Sequence, residues 1–283
     1  MRSAALGLIA GAILTPPPAG ADDALDRFRP TLVYDRDERD RTTAVDAIAP
    51  RLGDRDSVDL EGERPGREVV HGHRARDSRG RTWLQYWLFF LTNTQDRGVV
   101  RTGRHEGDWE LVQLRLDHRG RPDLATLSQH SWAEGCPPAE LRSDHGAPVI
   151  HVANGSHALL SHPGVGDRQW PDPDDEADGR GRRVRPPVVE LADGRPGWTR
   201  WPGRWGDSDA GIVPGEQSSP RGPAFAEGGA WRDPAAFHDD RARGCGADPP
   251  RRAWQWPLLA ALVALALLLP LRRATYNRRR DRA

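Results

Sequence analysis

The run RTWLQYWLFFLTN, residues 81–93, constrains the fold more than any other stretch of the chain. Aromatic and apolar residues occupy both its odd and its even positions. A strand with one face in water would show them on alternate positions only. The run is therefore expected as a central strand buried on both sides, in a sheet that needs cover on both faces. Other strand signals surround it. TLVY (31–34) is short and β-branched, and WELVQLRLD (109–117) places Glu110, Val112, Leu114 and Leu116 on one face. HRGRP (118–122) reads as a turn, and DLATLSQHSW (123–132) as the next antiparallel strand. APVIHVAN (147–154) is a further strand that ends in the loop GSHALLSHPG.

From about 163 to 250 periodicity fails, and Gly, Pro, Asp and Arg dominate around Trp170, Trp198, Trp201, Trp205 and Trp231. So many tryptophans suit loops that cover a sheet, not a disordered linker. The expected fold class is mainly β: an antiparallel β-sandwich with long Gly/Pro/Trp-rich loops, plus a C-terminal transmembrane helix. The sandwich domain is assigned to 22–231 and a stalk to 232–252.

The two ends point to a membrane. Residues 1–21 carry Arg2, the apolar run AALGLIAGAIL and the small residues Ala19-Gly20-Ala21, which is the form of a secretory signal. Residues 253–271 hold one strongly polar side chain, Gln255, and would span roughly 28 Å as a helix. Trp254 and Trp256 mark its outer edge, and six arginines follow it against two just before it. That asymmetry puts the tail, 272–283, in the cytoplasm and the N-terminal domain outside. The expected localisation is a bacterial cell membrane, single-pass, with the membrane as a partner through this helix.

Net charge is zero over the whole chain, but 22–253 holds 34 arginines and 40 acidic residues, or −6. A nucleic-acid partner is excluded, because its binding domain would be basic. No lysine occurs. Cys136 and Cys245 are the two cysteines, and outside the membrane they are expected as a disulfide. Such a bridge closes a loop of about 109 residues, for which chain entropy gives about 4–5 kcal/mol.

The stretch RHEGDWE (104–110) carries the chemistry. Asp108 and Glu110 are two apart, so on a strand both face the core side that continues as Val112 and Leu114. Paired buried carboxylates need a cation, an arginine or a shared proton between them. His105 lies within reach across Gly107. One imidazole and two carboxylates suit Mg, Ca, Mn or Zn, and an arginine from Arg101 or Arg104 is the competing partner. His130, His151 and His157 lie at or near strand ends and could converge on the same rim. Ser156 beside His157 lacks the G-x-S-x-G elbow of a serine hydrolase.

The segments FRPTLVYDRDER (28–39), LQYWLFFLTN (84–93), HEGDWE (105–110), LSQHSW (127–132), VIHVANGSHAL (149–159), GRWGD (203–207) and SPRGP (219–223) occur in the order seen in the vacuolar protein sorting-associated protein 62 family, which the chain resembles over roughly 28–225. More distantly it resembles the necrosis- and ethylene-inducing peptide 1-like proteins, in which an aromatic strand precedes H-x-H-D-W-E. That second resemblance implies a β-sandwich with a divalent cation in a surface cavity that binds a lipid headgroup. Position by position it implies His105, Asp108 and Glu110 as metal ligands. The strand-end acid of the pattern falls on Asn93, and Gly107 replaces its second histidine.

The expected function is therefore a membrane-anchored extracytoplasmic domain that binds a polar ligand, a glycan or a lipid headgroup, beside a divalent cation. Two alternatives remain open. One is a metal-assisted hydrolase with Asp108 or Glu110 as base and His130 or His157 as acid. The other is a structural cell-surface domain.

Overall fold

The computed structural model describes residues 23–53, 55–95, 104–168, 172–192, 195–206 and 219–248. The expected signal, the transmembrane segment 253–271, the basic tail, Arg101 and Trp170 lie outside the described residues. Among the described residues no helix is long and apolar enough to cross a membrane.

The strands are β1 (Thr31–Tyr34), β2 (Ser57–Val58), β3 (Val70–Arg76), β4 (Thr82–Asn93), β5 (His105–Leu116), β6 (Pro122–Gln129), β7 (Trp132–Cys136), β8 (Ser143–Asp144), β9 (Ala147–Val152), β10 (Leu159–Leu160), β11 (Gly164–Gly166), β12 (Asp175–Ala177), β13 (Arg183–Val184), β14 (Val188–Leu191), β15 (Arg204–Trp205) and β16 (Ala242–Arg243). Among the described residues the α-helices are two short ones, α1 (Asp23–Arg27) and α2 (Pro234–Arg241).

The main sheet has seven strands in the order β14-β3-β4-β5-β6-β7-β16, and β4 lies inside it as the 81–93 run requires. Leu84, Tyr86, Leu88 and Phe90 face one core, with Val112 and Leu114 of β5. That core is closed by a second sheet, β10-β9-β1-β13 with β8 beside β9, through Leu32, Tyr34, Ile150 and Val152. Trp87, Phe89 and Leu91 point the other way, with Trp109 and Leu111. A small two-stranded sheet, β2 with β15, lies on that face through Val58 and Trp205, and Trp198, Trp201 and Trp231 cover the rest from loops and 3-10 turns, as the tryptophan spacing suggests.

The sheets are mixed and open, not purely antiparallel. The hairpin-connected strands β3 to β7 pair antiparallel. β14 joins β3, β16 joins β7 and β1 joins β9 in parallel. In each case more than a hundred residues separate the partners, so a hairpin cannot link them and the direction is free. The 123–132 segment is not one strand. His130, at φ 54°, and Ser131 make a two-residue turn into β7, and Gln129 pairs with Trp132. Residues 234–243, expected within a stalk, form α2 and β16. Asp233 caps α2 by accepting from the Ala236 N–H at 3.0 Å, and Phe237 is buried under it.

Cys136 and Cys245 form the expected disulfide, beside the β7–β16 pairing. It fastens the end of the described chain to the main sheet. Reduction of the full-length protein should lower its unfolding free energy by about 4–5 kcal/mol. Denaturant melts with and without reductant check this; coincident curves would show that the bridge constrains nothing.

Candidate functional site

The C-terminal ends of β1, β4, β6 and β9 and the start of β5 meet at one rim between the two sheets. Antiparallel pairing sets Phe90 opposite Asp108 and Asn93 opposite His105. The parallel β1 and β9 then bring the segments 35–40 and 153–158 to the same end.

Asp108 is the centre. Its Oδ2 accepts from His157 Nδ1 at 2.9 Å and from Asn93 Nδ2 at 3.2 Å. The His157 ring stacks on Phe90, with centroids 3.9 Å apart and planes 2° apart. Its Nε2 is buried without a hydrogen-bond partner, 3.6 Å from Glu38 Oε2. Glu38 accepts in turn from the Gly155 N–H at 2.6 Å. Burial alone would raise the Asp108 pKa. The His157 hydrogen bond and the charges of His105, His157 and His130 outweigh it and hold the carboxyl below its ordinary range. For His157, burial opposes the charge, but the bond to Asp108 and the charges of Asp108, Glu38 and Asp40 raise it above its ordinary value. Both shifts favour a buried carboxylate–imidazolium pair.

Glu110 shares the inward face and ends differently. Its carboxylate accepts a short hydrogen bond from the Ser128 hydroxyl. Burial first, then repulsion from Asp108 and Asp175, pushes its pKa well up, so the neutral acid is favoured. The positive partner that two adjacent carboxylates demand is supplied by an imidazolium on one and a proton on the other.

Asp175, on β12, organises the neighbouring half of the rim. It accepts from Ser156 Oγ at 2.7 Å, Gln95 Nε2 at 3.1 Å and His130 Nε2 at 3.0 Å, with Arg168 Nη1 at 3.8 Å. Burial raises its pKa, but His130, Arg168 and Ser156 together leave it lowered. The Ser156 hydroxyl therefore serves Asp175, and the adjacent His157 serves Asp108. The two are not a nucleophile and its base, and the hydrolase reading gains no support from them.

Of the histidines expected to converge, His130 and His157 do, and both have left-handed backbones, at φ 54° and 58°. His130 takes this conformation as part of the Gln129–Trp132 turn; for His157 the packing around the residue must enforce it. His151 does not converge. Ile150 and Val152 face the core, so the residue between them faces away. It lies against Gly179, and burial with the nearby Arg142, His162 and Arg183 lowers its pKa to about 4.

His105 turns onto its own strand, where Nδ1 donates to the Gly107 carbonyl at 2.8 Å. Gly107 is no hinge for it. Its φ is 60°, and a Cβ there would lie 1.7 Å from the carbonyl oxygen of Trp205. Among the described residues, the donor atoms of His105, Asp108 and Glu110 do not all come within 4.8 Å of one another. One group does, Glu134 with Cys136 and Cys245, but those sulfurs form the disulfide. Asp108 is occupied by His157 and Asn93, and Glu110 by Ser128. A divalent cation held by the expected set is not supported by this arrangement.

Sequence reasoning missed Glu38, Asp40, Arg168 and Asp175. Their signal was the acidic runs DRDERD (35–40) and PDPDDEADG (171–179), which carry no periodicity to place them.

No family model and no curated protein matches the chain, so the vacuolar protein sorting-associated protein 62 family is not shown. Its structural neighbours are necrosis- and ethylene-inducing peptide 1-like proteins at low identity. One is NLPPya in complex with glucosamine, at TM-score 0.40 and 18% identity over 62% of this chain and 75% of that one. Another is described as a toxin fold for microbial attack and plant defense, at 0.40 and 18% over 62% and 76%. The non-toxic HaNLP3 protein matches at 0.37 and 14% over 62% and 77%.

Two substitutions test the rim. Below the ordinary Glu value of 4.5, folded and unfolded chains both hold the Glu110 proton and it costs nothing. Above 4.5 the unfolded chain releases its proton first, and the cost grows with pH until the folded carboxyl ionises too. The stability of Glu110→Gln minus that of the wild type should therefore rise between pH 4 and pH 8. A difference independent of pH would show that Glu110 is not held neutral. Gly107→Ala should cost more than the ~1 kcal/mol of a strained glycine replacement, because backbone must move; an unchanged melting temperature would contradict the contact with Trp205.

Proposed function

We propose that the rim is the binding site of an extracytoplasmic domain tethered by 253–271 to a bacterial membrane, and that its ligand is a polar glycan or glycan-bearing headgroup rich in hydrogen-bond donors. Glu38, Asp40, Asp108, Glu110 and Asp175 gather there around His130, His157 and Arg168, so acceptors outnumber cationic partners. Hydroxyl and ammonium groups of a sugar complement such a site. The observation that carries the reading is His157. Its buried Nε2 has no hydrogen-bond partner beside Glu38, in a residue held left-handed on the face of Phe90. A buried polar atom left so costs about 1–3 kcal/mol, which a ligand oxygen would recover. The reading needs no divalent cation, and no observation favours a hydrolase over it.

The probes are glucosamine and mannosamine against glucose, titrated calorimetrically into the full-length chain in detergent. The amino sugars should bind more tightly than glucose, because the rim is acidic. Glu38→Gln, which keeps the shape and removes the charge, should weaken amino-sugar binding about tenfold. No binding of any of the three, or equal binding by the variant, would remove the rim as the site.

A further inference from the structure

A second concave region lies on the opposite, tryptophan-covered face of the main sheet. It is a cleft of about 680 Å³ between the end of β3, the 3-10 turn Gly197–Arg200 and the segment 224–232. Arg74 and Arg76 border it on β3 but alternate with His73, so their side chains leave from the opposite face of the sheet. Arg200 and Arg232 line it with Phe225 and Trp231, and no carboxylate is among its lining residues. That is unusual for a segment of net charge −6. Some arginines elsewhere on the surface pair with acids: Arg36 with Asp178, Arg51 with Glu63, Arg115 with Asp123 and Arg182 with Glu68. Among the described residues Arg200 and Arg232 form no ion pair, and both are exposed. The acid beside Arg232, Asp233, is turned to the Ala236 N–H as the cap of α2.

The wall is also held rigidly. His73, Gln85 and Gln113 stand directly opposite one another on β3, β4 and β5. His73 Nδ1 donates to Gln85 Oε1 at 2.8 Å, and Gln85 Nε2 donates to Gln113 Oε1 at 3.2 Å. The ladder's remaining donors leave the sheet. Gln85 Nε2 also reaches the Ala230 carbonyl at 2.7 Å, and Gln113 Nε2 the Pro234 carbonyl at 2.9 Å. The His73 ring lies flat on Trp231, 3.6 Å away and 5° from parallel. Three polar side chains in the middle of an apolar sheet face thus pin residues 230–234, and with them the positions of Trp231 and Arg232.

We propose that this cleft binds an anionic saccharide: a sugar ring bearing phosphate, sulfate or carboxylate, with the acid group at Arg200 and Arg232 and the ring against Trp231 and Phe225. Guanidinium groups match oxyanions in pairs of hydrogen bonds, and aromatic faces match the apolar face of a sugar ring. The inference stands apart from the rim, which lies on the other face of the sheet and carries the opposite charge.

The test titrates glucose 6-phosphate, glucose and inorganic phosphate into the full-length chain at low salt. A second arm floats the protein with phosphatidylcholine vesicles that contain phosphatidylinositol 4-phosphate, which presents the same chemistry on a lipid. Glucose 6-phosphate or the phosphoinositide vesicles should bind and glucose should not. The double variant Arg200→Ala/Arg232→Ala, both sites exposed, should weaken binding at least tenfold with an unchanged melting temperature. Phe225→Ala should weaken glucose 6-phosphate more than inorganic phosphate. Absence of binding in both arms, or equal binding by the double-arginine variant, overturns the proposal.

Discussion

The burial of β4 on both faces is the constraint from which the rest follows. A twelve-residue strand with Trp83, Tyr86, Phe89 and Phe90 all fully buried cannot stand at a surface. One face recruits a second sheet, and the alternation of β1 and β9 supplies its apolar side. The other face has only the short pair β2–β15, and large side chains do most of the covering. A tryptophan hides some 150–250 Å², so a few of them stand in for a full sheet. Trp205 shows how: it packs against Phe89, Trp109, Trp198 and Trp201 with ring centroids 5.2 to 5.7 Å away.

The same alternation explains where the charges can go. Asp108 and Glu110 lie on the inward face, so they must be neutralised inside. Taking a carboxylate and an imidazole out of water costs several kcal/mol per ion, and their attraction offsets this only in good geometry. The Asp108–His157 pair has that geometry, with Asn93 as a second donor and Phe90 fixing the ring. Replacing such a pair with apolar residues is often neutral or stabilising. Stability alone therefore does not account for its presence, which accords with the recognition role proposed for the rim.

What could be read from the sequence was what periodicity encodes. The strands β4 and β5, the inward face of Asp108 and Glu110, and the tryptophan cover all follow from period two and from side-chain size. The parallel edges β14 and β16 did not, because their pairing is set by distant segments and leaves no local trace. Asp175 and Glu38 sit on loops, where charge runs look like solvated surface. Of two errors, only one had a readable correction. If Ile150 and Val152 are core, His151 between them must face outward. Gly107 looked like a hinge because only the fold shows that Trp205 passes within a methyl group of it.

That contact ties the two faces together. Phe89 and Phe90 are neighbours in sequence and so point to opposite sides: Phe90 carries His157, and Phe89 packs on Trp205 at 5.2 Å. Gly107, at the head of the strand opposite, lets the Trp205 backbone lie directly on β5. The position of the tryptophan cover on one face thus fixes the start of β5, and the start of β5 carries Asp108 on the other. Parity sets the rest: Asp108 and Gln113 are five residues apart, an odd number, so the acidic rim and the ladder beneath the basic cleft must project from opposite faces of one strand. If the proposed ligands are right, opposite charge on opposite faces would keep them apart, since an anion that suits the arginines is repelled by the rim, and a cation that suits the rim is repelled by the arginines.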